Sequence, residues 1–364
     1  MQFTFHPHAD YLAHKADIDA AIRRVLDSGH HILGPEVAAF ESEFAAEIGA
    51  AHCVGVANGT DAVHLALRAC GVGPGDTVAT VSHTAVATVA AIELAGAVPL
   101  LVDIEADTFT LDPAKLDAAL TARPGVKALV LVHLYGHPAA AACVEVARRH
   151  GLRVIEDCAQ CHGAALDGRT TGTWADAAAF SFYPTKNLAA IGDGGAVLTG
   201  GATIAARLRE LRQYGWKQRY ISDTTGMNSR LDELQAAILR VKLRTLRASN
   251  QRRRELAALY TAGLAGTPFT APATRAGAAH VFHQFVIRAP RRDALLAALN
   301  ARGIPAAIHY PQPVHTQPAY AGRVAHGDLT ETERACREIL SLPLHPHLAV
   351  ECVQHVITTL RELA

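Results

Sequence analysis

This chain has no run of about 18 consecutive apolar residues, because Asp, Glu, Arg, Gly or Pro interrupts every Ala/Val/Leu stretch, so a spanning helix is not expected. It has no charge excess, with 34 basic residues against 34 acidic ones, so the composition carries no general pull toward nucleic acid or an anionic membrane. It lacks an even set of cysteines: the seven thiols sit mostly inside apolar segments such as HLALRAC and AACVEVA. Buried reduced thiols fit that placement better than a disulfide framework. The opening MQFTFHPHADYLAHKADID has neither a basic n-region nor an apolar h-region, so a secretory leader is not expected and a cytoplasmic enzyme is. Internal repeats and low-complexity segments are missing too, apart from a general richness in alanine.

What is present is the makeup of a globular enzyme, 50% hydrophobic and 19% charged, with enough chain for a large domain and a smaller one. From about residue 50 to 200, short β-branched runs alternate with helical patterns. The runs 77–82, 98–104, 126–136, 152–158 and 177–182 read as buried strands, and 61–70, 84–96, 112–120 and 140–151 as helices. This alternation predicts βαβ units and a mostly parallel α/β sheet covered on both faces. A long basic helix is expected from Leu231 to Tyr260, its RRR run a solvated face. After the Gly/Pro/Thr-rich stretch 262–279 the pattern restarts with strand 280–288, helix 291–303, strand 304–310 and two helices. The expected division is a large domain over 1–250 and a small α+β domain over 251–364.

The most informative stretch contains VIEDCAQCHGAA and AFSFYPTKNLAAIGDGGAV. Asp157 closes a predicted buried strand, where open α/β sheets place their ligands. Lys186 follows 29 positions later, in a Gly-flanked loop. A lysine there can capture an aldehyde as an imine once burial or a neighbouring cation frees its amine. A carboxylate facing a pyridine nitrogen would keep that ring protonated as an electron sink. Taken singly, such a lysine is commonly a solvated loop residue and such an aspartate an N-cap. In VGVANGTDAVHLAL a strand runs through Asn58, Gly59 and Thr60 into a helix, so Gly59 and Thr60 would offer N–H groups and a hydroxyl to a phosphate. Thr60 as a simple N-cap is the other reading. Ser181 is a second hydroxyl within reach of the same phosphate.

These segments, with HLYGHPA, GMNSRLDELQAAILRVKL, HQFVIR, IHYPQPVHTQPAY and ILSLPLHP, resemble the nucleotide-sugar aminotransferases, DegT-like enzymes of PLP fold type I. The likeness spans nearly the whole chain in order. It implies pyridoxal 5'-phosphate (PLP) as cofactor, with Lys186 as the imine-forming and proton-moving lysine, Asp157 as partner of the ring nitrogen, and Gln160 on the ring's hydroxyl side. It further implies Gly59, Thr60 and Ser181 on the phosphate, and Asn228 completing that site from the other subunit of a homodimer. Arg219 and Tyr220 would lie near the sugar nucleotide of the neighbouring site, and Tyr183, His309 and Tyr310 would line the hexose pocket. L-glutamate is the donor expected from the resemblance, since no dedicated arginine for its side-chain carboxylate is legible. A dTDP-linked 3-keto-6-deoxyhexose is the acceptor most resembled. A 4-keto sugar, a cyclitol ketone and PLP-dependent sugar dehydration or deamination are the alternatives, and a non-enzymatic regulator on the same scaffold is disfavoured by the filled catalytic positions.

One departure stands out. Where relatives often stack an aromatic residue on the pyridine face, this chain has Ala85, and His83 is the candidate to cover the ring instead. The motif Cys158-Ala-Gln-Cys161-His162 fits a haem attachment or redox pattern, but without an export signal or a second ligand pair these thiols are assigned to packing beside the cofactor. No metal site is expected, and the two HPH segments, 6–8 and 345–347, are assigned structural or surface roles.

Overall fold

The structure, a computed structural model, describes residues 5–364. Seven strands organise it: β1 (His52–Val56), β2 (Thr77–Val81), β3 (Val98–Val102), β4 (Val126–Val132), β5 (Arg153–Asp157), β6 (Ala177–Ser181) and β7 (Gly195–Thr199). With the two-residue piece Ala325–His326 they form one sheet, in the order β1-β7-β6-β5-β4-β2-β3 and then 325–326. Strand β7 is antiparallel to both neighbours and every other pair is parallel. The mostly parallel α/β sheet is therefore as expected.

Period-two alternation divides each strand between two cores. Val78, Val130 and Ile155 pack with the helix Gly59–Ala69, whereas Ala79, Leu129 and Val154 pack on the opposite face with Leu116, Leu120, Cys143 and Val146 of the helices Pro113–Ala122 and Ala142–Arg149. Three N-terminal helices, Pro7–Ala13, Lys15–Ser28 and Pro35–Ile48, precede the sheet. The third has no side-chain cap of its own. Buried Glu233 supplies one from 197 residues away, its carboxylate accepting from the N–H groups of Gly34, Glu36 and Val37 at 2.8–2.9 Å, where a helix N-terminus favours negative charge.

Several expected boundaries move. The run 126–136 is strand only to Val132, because Tyr135 (φ 60°) and Gly136 (φ 92°) turn the chain. A Cβ on Gly136 would lie 2.9–3.0 Å from Val281, Gln160 and His283, so that turn needs glycine. The single basic helix is two, Glu233–Leu243 and Leu246–Gly263, separated at Thr245, whose N–H and hydroxyl both bond Lys242 O. Its RRR run is not uniformly solvated, since Arg253 is buried at 4% exposure. Only Phe285–Arg288 of the run 280–288 is strand: Phe282 takes φ 43° while its N–H donates to the ring Nδ1 of His280. The run 304–310 makes a lone bridge, Ala307 to Ser341. Between the two expected C-terminal helices, Thr330–Glu338 and Val350–Glu362, the fully buried strand Ile339–Leu342 pairs with Phe285–Arg288.

A separate core unites Leu256, Tyr260, Phe285, Leu299, Leu340, Val353 and Leu360. The helix Leu246–Gly263 joins it to the cluster of Phe40 and Phe182, with which Leu246 packs. No helix among the described residues is long and apolar enough to cross a membrane.

Candidate active site

At the carboxyl ends of β5 and β6 lies a cavity of about 470 Å³, lined by Gly59, Thr60, Asp61, Ala85, Thr88, Asp157, Ala159, Ser181, Tyr183 and Lys186, among others. It therefore gathers Asp157, Lys186, Gly59, Thr60, Ser181 and Tyr183 in one place. Asp157 is the last residue of β5, in register with Val132 of β4 and Ala179 of β6. Each of its carboxylate oxygens is fixed: Thr88 Oγ1 donates to Oδ2 at 2.8 Å and the Ala159 N–H to Oδ1 at 3.1 Å. Thr88 itself was missed. Its signal is a hydroxyl in the first turn of a mostly apolar helix, Val86–Leu94, three residues beyond Ala85.

Ser181 ends β6, and Gly59 opens the helix beneath it. A Cβ on residue 59 would come 2.6 Å from Ser181 Cβ, so glycine is what allows the helix start and the serine to meet. The helix cap is Asn58, not Thr60, its Oδ1 accepting from the Asp61 N–H at 2.8 Å. The N–H groups of Gly59 and Thr60 begin the first turn and have no intrahelical acceptor. Both residues line the cavity with Ser181, a donor set suited to a phosphate dianion.

Lys186 sits in the turn after β6, its N–H bonded to Tyr183 O at 2.9 Å. Burial lowers its amine to about 8, against an opposing pull from Asp157. Three imidazoles stand in reach of its charge, and burial together with Lys186 lowers His162 to about 3, His309 to about 4 and His283 well below the usual range. At neutral pH all three are neutral, so no fixed imidazolium competes there. An amine, an anchored carboxylate and a phosphate cradle around this volume fit PLP in donor chemistry and in size.

Gln160, His309, Tyr310, His83 and Asn228 are not among the residues that line this cavity. Gln160 is buried, its Oε1 accepting from the Tyr135 N–H at 2.6 Å and its Nε2 donating to the Tyr310 hydroxyl at 3.2 Å. His309 bonds Ser341 Oγ through Nδ1 at 2.8 Å, and its carbonyl accepts from the Tyr135 hydroxyl. His83 is outside the lining: its ring is buried, with Nε2 at 2.8 Å from the Tyr135 hydroxyl and Nδ1 facing Cys336 Sγ at 3.4 Å. The cavity wall at that point is Ala85, Ala87 and Thr88. Asn228 is exposed on an extended segment that bridges Gln213.

Arg219 and Tyr220 line a separate cavity of about 620 Å³ with Trp216, Lys217 and Arg230. Sequence reasoning missed the last three, although Trp216 and Lys217 adjoin the residues it named. The thiols of Cys158 and Cys161 converge with His133, their ligand atoms all within 4.8 Å of one another. Both His133 nitrogens are engaged, Nδ1 by the Ala139 N–H at 3.0 Å and Nε2 by Glu156 at 3.1 Å, which leaves no ring lone pair for a metal. Both thiols lie in the core with Phe180 and Phe182.

Known proteins extend this geometry. The chain is 50% identical over 359 residues, covering 98% of it and 94% of the relative, to a dTDP-3-amino-3,4,6-trideoxy-alpha-D-glucose transaminase of Streptomyces venezuelae. It is 44% identical over 365 residues, covering 99% and 98%, to a UDP-N-acetyl-3-dehydro-alpha-D-glucosamine 3-aminotransferase of Acidithiobacillus ferrooxidans. The crystal structure of S. venezuelae DesV in complex with a ketimine intermediate matches with a TM-score of 0.95 at 49% identity, over 98% of this chain and 97% of that one. The profile of one family matches residues 13–361, and the chain belongs to it: the DegT/DnrJ/EryC1/StrS aminotransferases.

Proposed function

We propose that this sugar aminotransferase holds PLP in the Lys186 cavity and moves an amino group from L-glutamate to a keto-deoxyhexose carried by a nucleotide. The observation that carries this reading is the convergence of the Lys186 amine, the doubly bonded Asp157 carboxylate and the Gly59/Ser181 cradle on one 470 Å³ cavity. When bound, PLP supplies an aldehyde for amine capture and a protonated ring that accepts electrons from the carbon losing its proton.

The chain's own residues divide the remaining work. The first-turn N–H groups of Gly59 and Thr60 and the Ser181 hydroxyl bind the phosphate, with Asn228 of a second copy completing the site in a homodimer. Asp157, kept in place by Thr88 and Ala159, holds the ring-nitrogen proton. Gln160 supports the ring's hydroxyl side. Lys186, as a free amine, would bond the cofactor's aldehyde carbon with loss of water and be released when the donor's amine takes its place. It would then carry the proton from the donor's α-carbon to that former aldehyde carbon; with the keto sugar it would move a proton the opposite way, from that carbon to the sugar carbon that receives nitrogen. With Ala85 and Ala159 on the cavity wall, a bound ring would lie beside small side chains, while His83 bonds the Tyr135 hydroxyl outside that lining.

Tyr183, His309 and Tyr310 are proposed to line the hexose site. Arg219 and Tyr220, with Trp216, Lys217 and Arg230, offer three cations and two aromatic rings, a combination suited to a nucleoside diphosphate. That cavity lies apart from Lys186 in its own chain, which fits service to the partner's site. The names of both curated relatives specify amino transfer at carbon 3, so a 3-keto sugar is favoured over a 4-keto sugar. Mass spectrometry of products from purified holoenzyme with glutamate and paired 3-keto and 4-keto nucleotide sugars tests this: a 3-amino product is expected, and a 4-amino product alone overturns the regiochemistry.

A further inference from the structure

Besides Lys186, four lysine or arginine residues are buried among the described residues: Arg212, Lys242, Arg253 and Arg292. Three have a carboxylate, namely Glu41 for Arg212 at 2.6 Å, Asp10 for Lys242 at 2.6 Å and Asp293 for Arg292 at 2.7 Å. Arg253 has none. Its Nη1 donates to the carbonyls of Phe282, His283 and Leu344 at 3.0–3.5 Å, while its buried Nε has no partner. Nη2 makes no hydrogen bond with any described residue. The Nε and Nη2 edge is one that pairs side-on with a carboxylate; burial pulls the guanidinium down to about 10, which the charge of Asp10 only partly opposes, and an arriving anion would offset the remainder.

Arg253 lines a small cavity of about 30 Å³ together with Thr185, Lys186, Asn187, Asp10 and His345. That volume holds one small group and not a whole substrate. Lys186 is the one residue that lines both this space and the 470 Å³ cavity. Asp10, the acid in the small cavity, is already held by Lys242 and faces His347 at 3.4 Å. We infer that Arg253 receives one carboxylate of the amino-acid donor while the donor's amine reacts at Lys186. The inference rests on the aminotransferase reading and adds to it a donor site on the chain's own buried arginine.

Isothermal titration of PLP-loaded protein with glutarate, a dicarboxylate lacking the amine, reads this site without turnover. Wild-type protein should bind glutarate; Arg253→Gln should weaken binding at least tenfold and Arg253→Lys less. The glutamate half-reaction, followed by loss of the cofactor's visible band, should slow in parallel, while the reverse half-reaction from the amino sugar should stay within twofold. Folded Arg253→Gln that binds glutarate and reacts with glutamate as wild type does would assign Arg253 to holding three carbonyls only and overturn the inference. Should both variants unfold, a crystal structure of wild-type holoenzyme with glutarate decides: a carboxylate on Nε and Nη2 supports the site, and water alone there rejects it. Wild-type protein that reacts with neither glutamate nor amino sugar would sink the aminotransferase reading itself.

Discussion

The Lys186 cavity and the Trp216–Arg230 cavity are of comparable size, about 470 and 620 Å³, but they are built in opposite ways. In the first, Asp157 and Ser181 are buried at strand ends, and Asp157 is bonded through both oxygens. In the second, Tyr220 is 72% exposed and the Arg219 guanidinium rests over its ring at 4.9 Å. Preorganised polar groups away from water act strongly on charge that develops during reaction. Exposed cations and rings adapt to a ligand and contribute mainly to its affinity. The pairing suggests chemistry in one cavity and recognition in the other, and substitutions in each should therefore fail differently.

The largest effect is expected in the first cavity. Lys186→Ala should lower transamination roughly 10³-fold or more, measured by coupled release of 2-oxoglutarate, while leaving phosphate-anchored cofactor bound. Asp157→Asn keeps the volume and the Thr88 contact but not the charge, and about a 10²-fold loss in kcat is expected with little change in KM for the sugar. Gly59→Ala places a methyl 2.6 Å from Ser181 Cβ; overpacking of this kind costs about 1–3 kcal/mol and should appear as weaker PLP binding in equilibrium dialysis. The smallest effect belongs to the second cavity. Arg219→Ala should raise KM for the nucleotide sugar about tenfold and leave the glutamate half-reaction unchanged. Equal damage to both half-reactions would remove the distinction between the two cavities.

The same contrast explains what the sequence made legible. Asp157, Ser181 and Gly59 sit where a strand or a strand–turn–helix unit fixes direction, so pattern alone brings them to one edge of the sheet. Thr88 and Arg253 lie on helices whose apolar pattern does not say which polar side chain is turned inward, and Arg253 was hidden in a basic run. Residues 280–284 escaped for another reason. Their apolar pattern runs into the strand Phe285–Arg288, but a ring nitrogen of His280, the Asn187 amide and the Arg253 guanidinium take backbone groups that a sheet ladder would use. His83 was read from its position beside Ala85. The competing attraction of the Tyr135 hydroxyl and Cys336 for its ring comes from residues 52 and 253 positions away.

The central claim is that the Lys186 amine captures the PLP aldehyde, and its pH dependence follows from the lowered value of about 8. Only the unprotonated amine attacks, so the rate of cofactor capture by apoprotein should rise with pH through about 8 and level off above it, where an ordinary lysine would continue to gain up to about 10.4. Stopped-flow absorbance across pH 6–10, followed by borohydride reduction and peptide mapping of the product, measures both the profile and the residue. The account predicts a midpoint near 8 and a reduced cofactor on Lys186 alone. A label on another lysine, or a rate still climbing at pH 10, would contradict it.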